Sequence, residues 1–203
     1  MTITVIGTGN VGGSLTRRWA TAGYTLRLGV RDLSDPQALA LAAEYPNQIT
    51  LHTLAEAANG ADVVVFAVPA GAAFSAAQAV GGVGQAVVID AMNALFTKPE
   101  PYERTSAALM AGTGSQRVVK CFNWTGAENM LDPFYGDERA DMLYCGDDPE
   151  AKAVAHQLAS ACGFRAIDAG GLSLEPVLES AALLWIKLSA TLGRRFAFRI
   201  LQR

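Results

Sequence analysis

The spacing of apolar positions switches repeatedly along this chain, from short unbroken runs to recurrences every three or four residues. Ile3–Ile6 is a β-branched run with no polar face, as expected of a strand buried on both sides of a parallel sheet. After a glycine-rich turn, Val11, Leu15 and Trp19 recur at helical spacing, and Gly23 supplies a stop. The same reading predicts a strand over Thr25–Val30, a helix over Pro36–Tyr45 with its proline near the start, a short strand over Ile49–Leu51 and a weak helix over Leu54–Asn59. Asp62–Val68 is the strongest strand signal, and Pro69 ends it.

Helix over Ala70–Val80 and strands over Ala86–Asp90 and Arg117–Phe122 follow, with Pro99, Pro101 and a helix over Tyr102–Leu109 between those two strands. Met142–Cys145 and Phe164–Ile167 read as strands around a helix over Glu150–Ala161. A longer helix over Leu174–Leu192 precedes a basic tail from Arg194 to Arg203. Alternating β and α units predict the α/β class, a doubly wound and mostly parallel sheet with right-handed crossovers. No linker or repeat divides the chain, so residues 1–203 are expected to form one domain, with 174–203 as a helical extension.

Composition narrows the function classes. With 51% hydrophobic and 17% charged residues the chain has a core's worth of apolar material, which excludes disorder. A net charge of -3 without a basic cluster in the body of the chain argues against nucleic acid as a partner. Cys121, Cys145 and Cys162 are odd in number and widely spaced, so they read as buried thiols in a reducing cytosol, with no metal site. Met1–Ile6 reads as a strand instead of a signal peptide, and the apolar segment Ala181–Leu192 is broken by Lys187 and too short to span a bilayer. The expectation is a soluble, cytoplasmic protein with no membrane partner.

The turn Gly7-Thr8-Gly9-Asn10-Val11-Gly12 follows a buried strand and opens an amphipathic helix, the setting that gives a dinucleotide fingerprint its meaning. Gly7 allows the tight turn, Gly9 lets the backbone approach a pyrophosphate, and Gly12 lets helix and strand pack closely. The helix N-terminus then offers N–H groups and partial positive charge to the phosphates. No Gly-Lys-Ser/Thr follows, which excludes a Walker A loop. At the end of the second strand, Arg31 is suited to a 2′-phosphate and to stacking on adenine, pointing to NADP. Asp32 is the competing reading, since a carboxylate there would favour NAD; it would otherwise turn the loop before Pro36.

In an open α/β sheet the ligand lies beyond the carboxyl ends of the strands. Val68, Pro69, Asp90–Asn93, Phe122–Thr125 and Gly146–Asp148 are the residues expected there. Hydride transfer between stacked rings needs positioning and a dry site more than a general base, consistent with only two histidines, His52 and His156, neither of which is assigned a role. Asn123 and Trp124 are an amide and an aromatic able to grip a planar ring, or else a turn residue beside a core tryptophan. Asp148, before Pro149, reads as an N-cap in preference to a metal ligand. Lys120, inside a strand, reads as a strand-edge contact in preference to a catalytic lysine, and Asp90 and Asp168 as isolated carboxylates that orient loops. No catalytic residue is assigned.

Together these segments resemble the NADPH-dependent coenzyme F420 reductases, over nearly the whole chain. The resemblance rests on Gly7–Gly12 with Asn10, Gly29-Val30-Arg31, Val88–Asn93, Lys120–Asn123, Cys145–Asp148, Asp168-Ala169-Gly170 and Leu178-Glu179-Ser180. It implies hydride transfer between NADP(H) and a deazaflavin in a homodimer built partly through the C-terminal helix. By position it implies that Thr8, Gly9, Asn10 and Val11 hold the pyrophosphate and Arg31 the 2′-phosphate. Pro69 and Asn93 would line the nicotinamide side, and Asn123 and the C-terminal helix around Ser180 would face the second cofactor. The chain departs from archaeal members, which carry Ser-Arg and then Lys, in having Val30-Arg31 and then Asp35; it has Gly171 where the family has Pro. The acceptor therefore stays open between coenzyme F420 and another flavin, a quinone or an iron chelate. Two further readings stand beside this one: a small-substrate dehydrogenase or imine reductase, which would need a helical domain of roughly a hundred residues more, and a catalytically silent NADP-binding sensor.

Overall fold

Strand β1 (Thr2–Ile6) is buried at every residue after Thr2, and a strand enclosed on both faces belongs inside a sheet. In the computed structural model, which describes residues 1–203, β1 lies between two parallel neighbours, β2 (Thr25–Val30) and β4 (Val63–Phe66). Ile3 stands opposite Leu26 on one side and Val63 on the other. Outside β2 lies β3 (Ile49–Thr53); beyond β4 lie β5 (Val87–Asp90) and β6 (Val118–Lys120). The order β3-β2-β1-β4-β5-β6 is parallel throughout and reverses direction between β1 and β4, which opens a crevice at their carboxyl ends. This is the Rossmann arrangement that the alternation of elements predicts.

The sheet continues through β9 (Asp141–Gly146) and β10 (Arg165–Gly170), parallel to each other but antiparallel to β6, with Lys120 opposite Cys145. The reversal corrects one expectation. Gly146–Asp148 leaves β9 at the amino-terminal edge of β6, across the sheet from the glycine turn. The cause lies in the segment after β6. It forms α6 (Ala127–Leu131) and a hairpin of β7 (Phe134–Tyr135) and β8 (Glu138–Arg139), then re-enters the sheet from the edge it left. These pieces are too short to show a period, so the apolar pattern does not predict them.

Helix α1 (Asn10–Thr21) follows β1, and its Trp19, fully buried, donates its indole N–H to the Leu158 carbonyl at 3.1 Å. Helices α2 (Pro36–Glu44), α3 (Leu54–Ala58), α4 (Ala73–Val80, entered through a 3-10 turn over Ala70–Ala72) and α7 (Pro149–Ala161) fall where the sequence predicts them. α5 (Thr105–Thr113) starts and ends later than expected, running on until Gly114 turns left-handed at φ 72°. The C-terminal extension is α8 (Glu175–Leu192), preceded by a 3-10 turn over Leu172–Leu174. Beyond it the tail has no regular structure but is packed. Phe196 stacks on Trp185 with centroids 5.1 Å apart, and Phe198 lies 5.5 Å from Trp124. The three cysteines are free and buried, and burial pushes the Cys145 and Cys162 thiols up to about 12, which leaves them unreactive. No helix is long and apolar enough to cross a membrane.

Candidate dinucleotide and acceptor site

The three glycines of the turn are required for three different reasons. Gly7 has φ 105°, and a Cβ on it would lie 2.4 Å from the Ala67 carbonyl oxygen. A Cβ on Gly12 would lie 1.9 Å from the Gly7 oxygen, so α1 could not start where it does. At Gly9 a Cβ would meet no protein atom within 4 Å. Its absence opens space, where the absence of the other two permits contact. α1 has no side-chain cap and no acidic residue in its first turn. Helix geometry leaves its leading N–H groups without intrahelical partners, so the turn presents donors and partial positive charge to an open space. The Val11 side chain packs on the core, so it offers the site its backbone alone. Thr8, Gly9 and Asn10 also border a second hollow of about 450 Å³, between α1, α2 and α6.

The main cleft, about 670 Å³, runs from the glycine turn past the end of β2 and under the end of β4. Gly7, Thr8, Gly9, Arg31, Asp32, Val68 and Pro69 all line it. Arg31 is exposed and forms no ion pair or hydrogen bond within the chain. Asp32, its rival, is already engaged: hydrogen bonds from the Ser34 hydroxyl at 2.6 Å and the Ser34 N–H at 2.8 Å hold its carboxyl below the ordinary value. Asp35 caps α2 by accepting from the Ala38 N–H at 2.8 Å. The free cation and the two engaged carboxylates suit a 2′-phosphate.

Two strands along, the chain leaves β5 and β6 in matched turns. Phe122 is the one non-glycine residue with positive φ, at 62°; it is fully buried and packs edge-on to Trp19 at 5.6 Å. That left-handed step turns the chain so that Asn123 meets Asn93. The Asn93 carboxamide donates to the Asn123 carbonyl at 2.6 Å, and the Asn123 carboxamide donates to Asn93 Oδ1 at 3.0 Å. Asn123 Oδ1 is buried with no hydrogen-bond partner. Trp124 is core: its indole N–H donates to the Asp141 carbonyl at 3.0 Å. The ring-gripping alternative for it is thereby set aside.

Below Asn93 lies a cluster that the sequence did not reveal. β6 is interior, not an edge, and Lys120 is fully buried among side chains from β5, α5 and α8. Its Nζ sits 2.7 Å from Glu179, 3.2 Å from Asp90 and 3.2 Å from Glu175. Burial would lower the lysine's affinity for its proton, but the three carboxylates outweigh that and hold it above the ordinary value. Asp90 is pushed up by burial and by Glu175, with Lys120 opposing. Asp90 is therefore not isolated, although it does orient its loop, accepting from the Met92 N–H at 3.0 Å. The spacing of Glu175 and Glu179, four apart on one face of α8, was the available signal.

Other candidates fall elsewhere. Ser180 is exposed on α8 and donates to the Pro176 carbonyl of its own helix, so a single chain does not bring it to the cleft. Asp148 caps α7 by accepting from the Ala151 N–H at 2.7 Å, as its position before Pro149 predicts. Asp147 accepts from the Leu172 N–H at 2.8 Å. His52 contacts Thr50, and His156 contacts Tyr144 on the surface of α7. No group of His, Cys, Asp and Glu side chains is arranged to hold a metal ion.

Comparisons with known proteins agree with this geometry. The family model described as NADP oxidoreductase, coenzyme F420-dependent, matches residues 2–94. The F420-dependent NADP reductase of Methanothermobacter marburgensis is 31% identical over 212 residues, spanning 93% of this chain and 92% of its own. A solved structure from Arthrobacter sp. FB24, provisionally described as an F420-dependent NADP reductase, superposes with a TM-score of 0.82 at 25% identity, covering 98% of this chain and 99% of that one. A reductive aminase from Aspergillus terreus in complex with NADPH shares the fold, with a TM-score of 0.65 at 18% identity over 94% of this chain and 61% of its own.

Proposed function

The chain belongs to the coenzyme F420-dependent NADP oxidoreductases, and from that premise we propose that it transfers a hydride between NADP(H) and a flavin-like acceptor, coenzyme F420 itself. The observation that carries the reading is the pairing of an open Gly9 with an unpaired Arg31 across one cleft. Gly7, Thr8, Gly9, Asn10, Val11 and Gly12 hold the pyrophosphate through backbone N–H groups, and Arg31 holds the 2′-phosphate with its planar fork. When bound, the nicotinamide supplies the hydride. Val68 and Pro69 wall its side of the cleft, and Asn93 fixes its edge. Asn123 faces the acceptor, held in place by its exchange with Asn93. No histidine lines the cleft and its two carboxylates, Asp32 and Asp35, are engaged, which suits a reaction that depends on ring placement.

A homodimer is part of the proposal. Val177, Ser180, Leu184 and Leu188 follow one another at helical spacing on the outer face of α8, and Val177 and Leu184 are 60% and 52% exposed. Ser180 lies within that stripe, so a second copy is what would bring it near an acceptor. Free, buried thiols favour a reducing cytoplasm.

Rapid mixing tests the activity: NADPH oxidation by added F420, compared with FMN, a quinone and an iron chelate. Fast oxidation by F420 alone supports the reading. Preference for another acceptor reassigns the substrate. Tight NADPH binding with no oxidation by any acceptor would make the protein a sensor.

A further inference from the structure

Asn93 is held from both sides by the cluster beneath it. The N–H of Met92, just before it, donates to Asp90 Oδ1 at 3.0 Å. The N–H of Ala94, just after it, donates to Glu179 Oε1 at 3.0 Å. Both carboxylates converge on the Lys120 ammonium, Asp90 through Oδ2 and Glu179 through Oε1. Lys120 in turn stands three residues before Asn123, Asn93's partner. One buried cation thus ties together the two turns that carry the carboxamide pair. Met92 and Ala94 are both buried, so neither N–H has water as an alternative partner.

We propose that Glu179, with Asp90 and Lys120, is a positioning residue that brackets Asn93 and fixes its carboxamide against Asn123. Glu179 reaches in from α8, the helix that also brings Glu175 to the same lysine. The extension thereby sets the geometry of a turn eighty-five positions earlier in the chain. The effect on turnover rests on the role given to Asn93 above; the effect on the backbone does not.

Glu179→Ala removes the acceptor for Ala94, and Glu179→Gln keeps an oxygen for it while discarding the charge. Alanine should be tolerated by the fold, since the cluster holds three carboxylates against one lysine and loses one of the excess. Amide exchange by NMR on the chain without ligand is the first readout. The Ala94 amide should be protected in the native chain, exchange about tenfold faster in the alanine variant, and recover in the glutamine variant. With NADPH and acceptor, the alanine variant should lose about a hundredfold in kcat while its Kd for NADPH stays put, because the glycine turn and Arg31 are untouched.

An unprotected Ala94 amide in the native chain overturns the proposal. So does an alanine variant that keeps full kcat, or a glutamine variant as impaired as alanine. A native chain that binds NADPH but passes its hydride to none of the acceptors defeats the proposed activity instead, and the amide comparison still decides this inference.

Discussion

Asn93 and Asn123 hold each other across the carboxyl ends of β5 and β6, each carboxamide nitrogen donating to the other residue, at 2.6 and 3.0 Å. The exchange uses one donor from each carboxamide and leaves Asn123 Oδ1 buried without a partner. Removing Asn93 should therefore matter in two ways. Asn93→Ala leaves the Asn123 carbonyl and carboxamide unpaired and should cost about 1–3 kcal/mol of stability, read by denaturant unfolding. Turnover should fall by more than the affinity for NADPH, read by steady-state kinetics beside a binding titration.

The turn glycines should separate cleanly. Gly12→Ala drives a Cβ to 1.9 Å from the Gly7 oxygen and should destabilise the whole fold, lowering Tm sharply. Gly9→Ala meets no protein atom and should leave Tm nearly unchanged, while the new methyl would occupy the space proposed for the phosphate. NADPH affinity should drop about tenfold or more, as loss of one charge-assisted contact would give. Equal Tm values for the two variants would contradict this division.

Arg31→Ala should raise the Michaelis constant for NADPH about ten- to a hundredfold, the worth of one hydrogen-bonded charge pair. The constant for NADH should barely move, since NADH has no 2′-phosphate. Equal effects on both would remove Arg31 from the site.

Lys120→Met would leave Asp90, Glu175 and Glu179 facing one another without a counterion. Breaking a buried ion cluster in this way costs about 3–5 kcal/mol, measurable as a shift in the denaturation midpoint. The variant should regain stability as pH falls, because protonation discharges the carboxylates. Asp90 titrates above its ordinary 3.8 because burial favours its neutral form, so that recovery should begin above pH 3.8.

A clamp at the tail should behave oppositely. Hydrogen bonding from Arg194 holds Glu128 below its ordinary 4.5. A depressed acid contributes stability that is present above 4.5 and lost as pH falls through its folded value. Melting curves of the native chain and Glu128→Gln should therefore differ at pH 7 and converge toward pH 3.

Much of the architecture was legible in the order of the residues. Unbroken runs such as Val63–Phe66 are wetted on neither face, so they had to be interior strands, and Gly7, Gly9 and Gly12 between a strand and a helix admit few other uses. Local pattern carries such information because burial and φ/ψ demands act over a few residues. Only the folded chain showed that β9 runs against β6, which moved Gly146–Asp148 away from the cleft. Only the folded chain released Arg31 while occupying Asp32, and placed Ser180 on the outer face of α8. It alone gathered Lys120, Asp90, Glu175 and Glu179, because partners thirty to fifty-nine positions apart leave no period to read. Sequence spacing sets which face a side chain occupies, and the meeting of distant faces is decided by how the elements pack.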